Sequence, residues 1–232
     1  HIHKKNKISP EICDHAAKHD KLEILKWAIH NGYPCDDNIS IIATKYNHTE
    51  ILEFAEENNY LDIETVFIQA LYFGNLMILE WMIDKEYPLN VKNISIAVKS
   101  GHLEILKCLD KYGLIHNSSY EYNLCDDAAF YGHLEILKWA CAIDKGYHMS
   151  LRTLKCAVLA NHLNIVKWLY EKFDQVQLET RNLCIQAAIS NALETLKWLR
   201  QKGIPWDTSV CTYAAQNGHI SILEYAINNG CP

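Results

Sequence analysis

The sequence has no run approaching the roughly 18 apolar residues that a helix needs to cross a bilayer, so no membrane contact is expected. Its opening, HIHKKNKISPEI (1–12), has basic residues but no apolar stretch behind them, and a secretory leader is not expected. It has no excess of positive charge. Lys and Arg number 22 against 28 Asp and Glu, a net charge of −6, which argues against a nucleic-acid partner. Nine cysteines contain no CxxC pair, and an odd count does not make a closed disulfide framework, so a reducing compartment, cytosol or nucleus, is expected. P-loop, dinucleotide fingerprint, HExxH and an ordered Ser-His-Asp set are all missing. No enzyme, cofactor or metal site is expected.

What remains is ordinary globular composition, 49% hydrophobic and 22% charged, organised by one recurring phrase. It reads DKLEILKWA (20–28), NHTEILEFA (47–55), GNLMILEWM (74–82), GHLEILKCL (101–109), GHLEILKWA (132–140), NHLNIVKWL (161–169), NALETLKWL (191–199) and GHISILEYA (218–226). The third residue of each phrase, position 0 below, advances in steps of 27, 27, 27, 31, 29, 30 and 27, so the repeats fill the chain. The chain opens on His1 and stops at Cys231-Pro232 in mid-pattern, and is expected to be a window onto a longer array.

Inside the phrase the spacing is helical. Positions 0, +2, +3 and +5 are almost always apolar and +4 is always charged, from Lys26 and Glu53 to Lys197 and Glu224. A first helix precedes it, with an alanine four residues before the phrase at Ala16, Ala43, Ala70, Ala97, Ala128, Ala157, Ala187 and Ala214. Such a column marks a close helix–helix approach, where a larger side chain would overpack. Ser9-Pro10, Asp36-Asp37-Asn38 and Asp207-Thr208-Ser209 read as helix starts, and NGYPCD (31–36), KEYPLN (85–90) and KGIPWD (202–207) as turns. The unit is helix, short turn, helix, loop.

Residue types that could carry chemistry fall into the same register. Cys13, Cys125, Cys184 and Cys211 share a slot that Phe67, Ile94 and Leu154 fill elsewhere, so cysteine is expected there as a small core hydrophobe. Five tryptophans (Trp27, Trp81, Trp139, Trp168, Trp198) stand at +5 and are expected to pack between repeats. Trp206 lies outside the register, in a turn, as a weak contact candidate.

The segments AAFYGHLEILKWA (128–140) and AAQNGHISILEYA (214–226) resemble the inner half of the ankyrin repeat: paired alanines, two free positions, Gly-His, then a Leu/Ile-rich helix. The resemblance extends over all eight units. It departs from the family in length, since the standard repeat has about 33 residues and opens on Thr-Pro-Leu-His, which is missing here. Short repeats of this kind look like those of ankyrin proteins in giant DNA viruses of amoebae. The implied fold is all-α, an ankyrin-like helix-turn-helix solenoid with shortened or absent β-hairpin fingers, forming a single array over residues 1–232. The resemblance also implies that His48, His102, His133, His162 and His219 bond local backbone and fix the turn.

In that family the two residues after the paired alanines face a partner. Here they are Lys18/His19, Lys45/Tyr46, Tyr72/Phe73, Lys99/Ser100, Phe130/Tyr131, Leu159/Ala160, Ile189/Ser190 and Gln216/Asn217. The expected contact set is Tyr46, Tyr72, Phe73, Lys99, Phe130, Tyr131 and Leu159, since exposed aromatics dominate interface hot spots. The implied function is a monomeric, non-enzymatic binder of a protein partner, a host protein if the viral resemblance holds. Two other readings stay open: the substrate-receptor arm of a ubiquitin ligase, and a self-associating structural component.

Overall fold

The computed structural model describes residues 11–115, 124–142, 149–172 and 182–232. The chain divides into two compact units, His1–Ile115 and His116–Pro232. Unit 1 contains α1 (Glu11–Lys18), α2 (Leu22–His30), α3 (Asn38–Tyr46), α4 (Thr49–Glu57), α5 (Ile63–Phe73), α6 (Leu76–Asp84), a 3-10 turn (Val91–Ile94), α7 (Ser95–Ser100) and α8 (Leu103–Lys111). Unit 2 contains α9 (Leu124–Tyr131), α10 (Leu134–Ala142), α11 (Leu151–Leu159), α12 (Leu163–Lys172), α13 (Leu183–Ile189), α14 (Leu193–Gln201), α15 (Thr208–Gln216) and α16 (Ile220–Asn228). The described residues are all-α, with no strand among them. Among them, no helix is long and apolar enough to cross a membrane.

Helices of six to eleven residues are too short to persist alone in water. They are held by stacking. In unit 1 the first helices pack in order, α1 on α3, α3 on α5 and α5 on α7; in unit 2, α9 packs on α11, α11 on α13 and α13 on α15. The alanine column sits in these contacts, and all eight alanines are buried.

Each alanine carbonyl also accepts the N–H of the phrase's second residue, from Lys21 N to Ala16 O at 2.9 Å through His219 N to Ala214 O at 2.8 Å. That bond closes the helix only if the residue between is left-handed. The first phrase residue is left-handed in every repeat: Asp20, Asn47, Gly74, Gly101, Gly132, Asn161, Asn191 and Gly218 have φ between 54° and 87°. This explains why the position is restricted to Gly, Asn and Asp.

The core of the second helix differs from the expected one. Positions +2 and +3 are buried in most repeats, as at Ile51, Leu52, Ile78 and Leu79, but the third member is +6, buried as Ala28, Ala55, Met82, Leu109, Ala140, Leu169, Leu199 and Ala226. Positions 0 and +5 stand half-buried or exposed at the rim, Cys108 excepted. The tryptophan row is therefore not core, and Trp27 is 53% exposed. The reason is angular: +2, +3 and +6 span one helical stripe, and +5 lies well off it at 100° per residue. Trp27 and Trp81 pack on turn residues, Tyr33 and Tyr87, with ring centroids 5.5 Å apart, whereas Trp198 packs between repeats as expected, edge to face on Tyr170 of the preceding second helix at 5.2 Å.

Helix starts agree in part. The Asp207 carboxylate accepts Ser209 N at 2.8 Å, and Asp36 accepts Asn38 N at 3.0 Å, whereas Asp37 makes no side-chain cap bond. Ser9-Pro10 lies outside the described residues. Three further caps appear, Asp62 on α5, Asn90 on the 3-10 turn and a Ser150–Thr153 capping box on α11.

Candidate partner-binding surface

The residues that follow the alanine pair sit on the last turn of each first helix. Tyr46, Tyr72, Phe130 and Tyr131 are 40%, 57%, 45% and 44% exposed, so these four do not fill core space. Lys99 is exposed too, while Phe73 and Leu159 are half-buried. In unit 1, Tyr72 and Phe73 meet edge to face with centroids 5.1 Å apart; in unit 2, Phe130 and Tyr131 do the same at 5.3 Å.

The turn histidines hold this surface in place, but not through local backbone. His48 Nε2 lies 3.3 Å from Lys18 O, His102 Nε2 2.9 Å from Tyr72 O, His162 Nε2 3.1 Å from Phe130 O, and His219 Nε2 3.0 Å from Ile189 O. Each acceptor belongs to the preceding repeat, about one period away in sequence. A carbonyl in the last turn of a helix lacks an intrahelical donor, and the next repeat's imidazole supplies one. The histidine thus joins repeats rather than closing its own turn, a pairing that a one-dimensional reading of the turn does not reveal. Where the repeat before carries glycine, the ring packs on it: a Cβ at Gly74 would lie 2.5 Å from His102 Nδ1, and one at Gly132 2.7 Å from His162 Cε1.

Unit 1 adds cations and a groove. Lys45 Nζ lies 5.7 Å from the Tyr46 ring and 5.6 Å from Phe73, and Lys18 Nζ lies 6.0 Å from Tyr46. Between α1 and α3 runs a groove of about 300 Å³, lined by Lys18, Lys45 and Tyr46 together with His15 and Ile42, and by Glu11 and Asp14. His15 and Ile42 lie outside the expected contact set. They stand one helical turn before the paired positions, so an i−3/i−4 extension of the pattern would have found them.

The cysteine slot departs from expectation at two places. Cys13 is buried but is joined by a disulfide to Cys35, with Cα atoms 5.8 Å apart, tying α1 to the turn after α2. Cys211 is half-buried rather than core, and Cys231, whose thiol donates to Asp207 O at 3.3 Å, is pushed up to about 11, first by burial and then by its interaction with Cys211. Cys125 and Cys184 are buried as expected, and burial pushes both thiols up to about 12, the reverse of an activated nucleophile. Among the described residues no group of three or more His, Cys, Asp or Glu is placed to hold a metal ion. Trp206 is occupied within unit 2, stacked 4.3 Å under the Arg200 guanidinium and 6.0 Å from Tyr225.

No curated protein matches the chain in a sequence comparison. Residues 184–227, the last two helix pairs, match the family described as ankyrin repeats (many copies), and the all-α paired architecture of the other described residues is consistent with the same fold.

Proposed function

We propose that the chain is a non-enzymatic interaction module that holds a protein partner on the exposed last turns of its first helices. The observation that carries this reading is a buried frame with a variable surface. The alanine, its carbonyl bond and the left-handed residue recur in all eight repeats, while the two residues just before the left-handed one change from one repeat to the next. Tyr46, Tyr72, Phe73, Phe130 and Tyr131 are the anchors, with Lys99 and Leu159 flanking them, since aromatic side chains supply large contact area at small entropic cost. The repeated phrase keeps its register on both sides of residue 115, which supports reading residues 1–232 as one array. The resemblance of the short repeats to viral ones favours a host protein met in the cytoplasm, and the net charge of −6 disfavours nucleic acid.

The test pairs affinity capture from host lysate with the variant Tyr72→Ala/Phe130→Ala. Both side chains are exposed, so the fold should survive, and a captured protein should then bind purified variant at least roughly tenfold more weakly. Unchanged affinity with an intact fold overturns the reading.

A further inference from the structure

Lysines on the first and second helices of unit 1 differ in their surroundings at several positions. On the second helices, Lys26, Lys107, Lys138 and Lys197 each meet a glutamate three residues earlier, at 2.7 to 2.9 Å. On the first helices of unit 1, Lys18 and Lys45 enter no ion pair among the described residues and lie against aromatic rings instead. Both ammonium groups lie within 6.0 Å of one ring, Tyr46, beside the groove between α1 and α3.

The repeat frame does not require them. The same positions in unit 2 hold Phe130/Tyr131, Leu159/Ala160, Ile189/Ser190 and Gln216/Asn217, without a charge. The groove also holds two acids, Glu11 and Asp14. Glu11 opens α1 and Lys18 closes it, roughly 10 Å apart along the axis. Asp14 engages Asn38 Nδ2 with one oxygen, at 2.8 Å. Lys18 and Lys45 both lie against the Tyr46 ring, with Asp14 one helical turn from Lys18.

We infer that the partner segment lying along unit 1 is acidic, and that it seats a carboxylate between Lys18 and Lys45 against Tyr46. This rests on the binding-module reading above and names the chemistry of its partner. The acidic chain supplies the selectivity: its net charge repels anions at long range, so only local cations can hold them, and the attraction must weaken with salt.

The experiment is selection of random peptides, roughly twelve residues long, on the immobilised chain, followed by fluorescence polarisation of the selected peptides. Peptides rich in Asp and Glu are expected. Lys18→Ala/Lys45→Ala should weaken them at least roughly tenfold, Lys18→Arg/Lys45→Arg should retain them, and Lys107→Ala on the second-helix face should leave them unchanged. Retention by the arginine pair separates charge from loss of fold. Selected peptides with no acidic bias, or acidic peptides indifferent to Lys18 and Lys45, overturn this inference; if such peptides still depend on Tyr72 and Phe130, the binding module itself stands. Failure to select any peptide counts against both.

Discussion

The pairs Tyr72–Phe73 in unit 1 and Phe130–Tyr131 in unit 2 are built alike and surrounded differently. Each ends a first helix, precedes a left-handed glycine, meets edge to face at 78° or 72°, and offers its first carbonyl to a histidine of the next repeat. Around the first pair stand Lys45 and Tyr46, with the Lys45 ammonium 5.6 Å from the Phe73 ring. The repeat that follows the second pair offers Leu159 and Ala160, with no charge. The geometry of a contact pair therefore comes from the repeat frame, and its chemistry from the neighbours that the frame leaves open.

The strongest way to break this comparison is to remove what the two sites share. Gly74→Ala and Gly132→Ala should each cost roughly 2–3 kcal/mol in urea unfolding, from the left-handed backbone and the displaced imidazole bond. Gly32→Ala, also left-handed but with open space where the new methyl would stand, should cost only about 1 kcal/mol. Adding His102→Ala to Gly74→Ala should bring the glycine's cost down to that control. Equal costs at Gly74 and Gly32 would show that the clamp does not hold the pair.

A smaller effect sharpens the difference between units. Asp14 and Asp126 occupy one repeat position and both reach the start of the following first helix. Asp126 is 6% exposed, accepts the Thr153 hydroxyl at 2.6 Å and faces Arg152 Nε at 3.1 Å, whereas half-buried Asp14 accepts from the neutral Asn38 amide. Asp126→Ala should cost roughly 1.5–3 kcal/mol and Asp14→Ala less than about 1 kcal/mol, read by thermal or urea unfolding. A larger loss at Asp14 would reverse the assignment of the tighter joint to unit 2.

The smallest effect is acid sensitivity in unit 1. Glu56 is held below its ordinary 4.5, first by the Tyr87 hydroxyl and then by Lys85, and Asp62 below its ordinary 3.8, first by the Thr65 hydroxyl. Tyr87, partly desolvated and facing Glu56, is correspondingly raised. A lowered carboxylate stabilises the fold above its unfolded value and loses that contribution as pH falls through the folded one. Amide-exchange protection at the start of α5 and across residues 85–87 should therefore drop between about pH 6 and about pH 3. Unchanged protection would remove these bonds from the account of unit 1.

Much of the fold was legible because the repeat multiplies weak signals. One alanine says little; eight in register locate a helix contact, and the structure buries all of them. The left-handed turn was written as Gly, Asn or Asp at a single position, and the exposed aromatics followed from the alanine pair. The misplacement of the second-helix core has one cause. Tryptophan at +5 reads as core by composition, yet its angle on the helix puts it at the rim, and alanine at +6 reads as neutral although it lies beneath the stripe.

The sequence by itself determined the repeat, its helix pairs and the surface positions left free to vary, because these depend on spacing along one helix and on backbone conformations that few residues tolerate. Only the tertiary structure decided which repeat each histidine serves, that Cys13 meets Cys35, and that Lys18 and Lys45 gather on Tyr46. The histidine bonds, the Cys13–Cys35 link and the approach of Lys18 to Tyr46 join residues some twenty to thirty apart, set by how neighbouring repeats stack, and no local pattern encodes that distance.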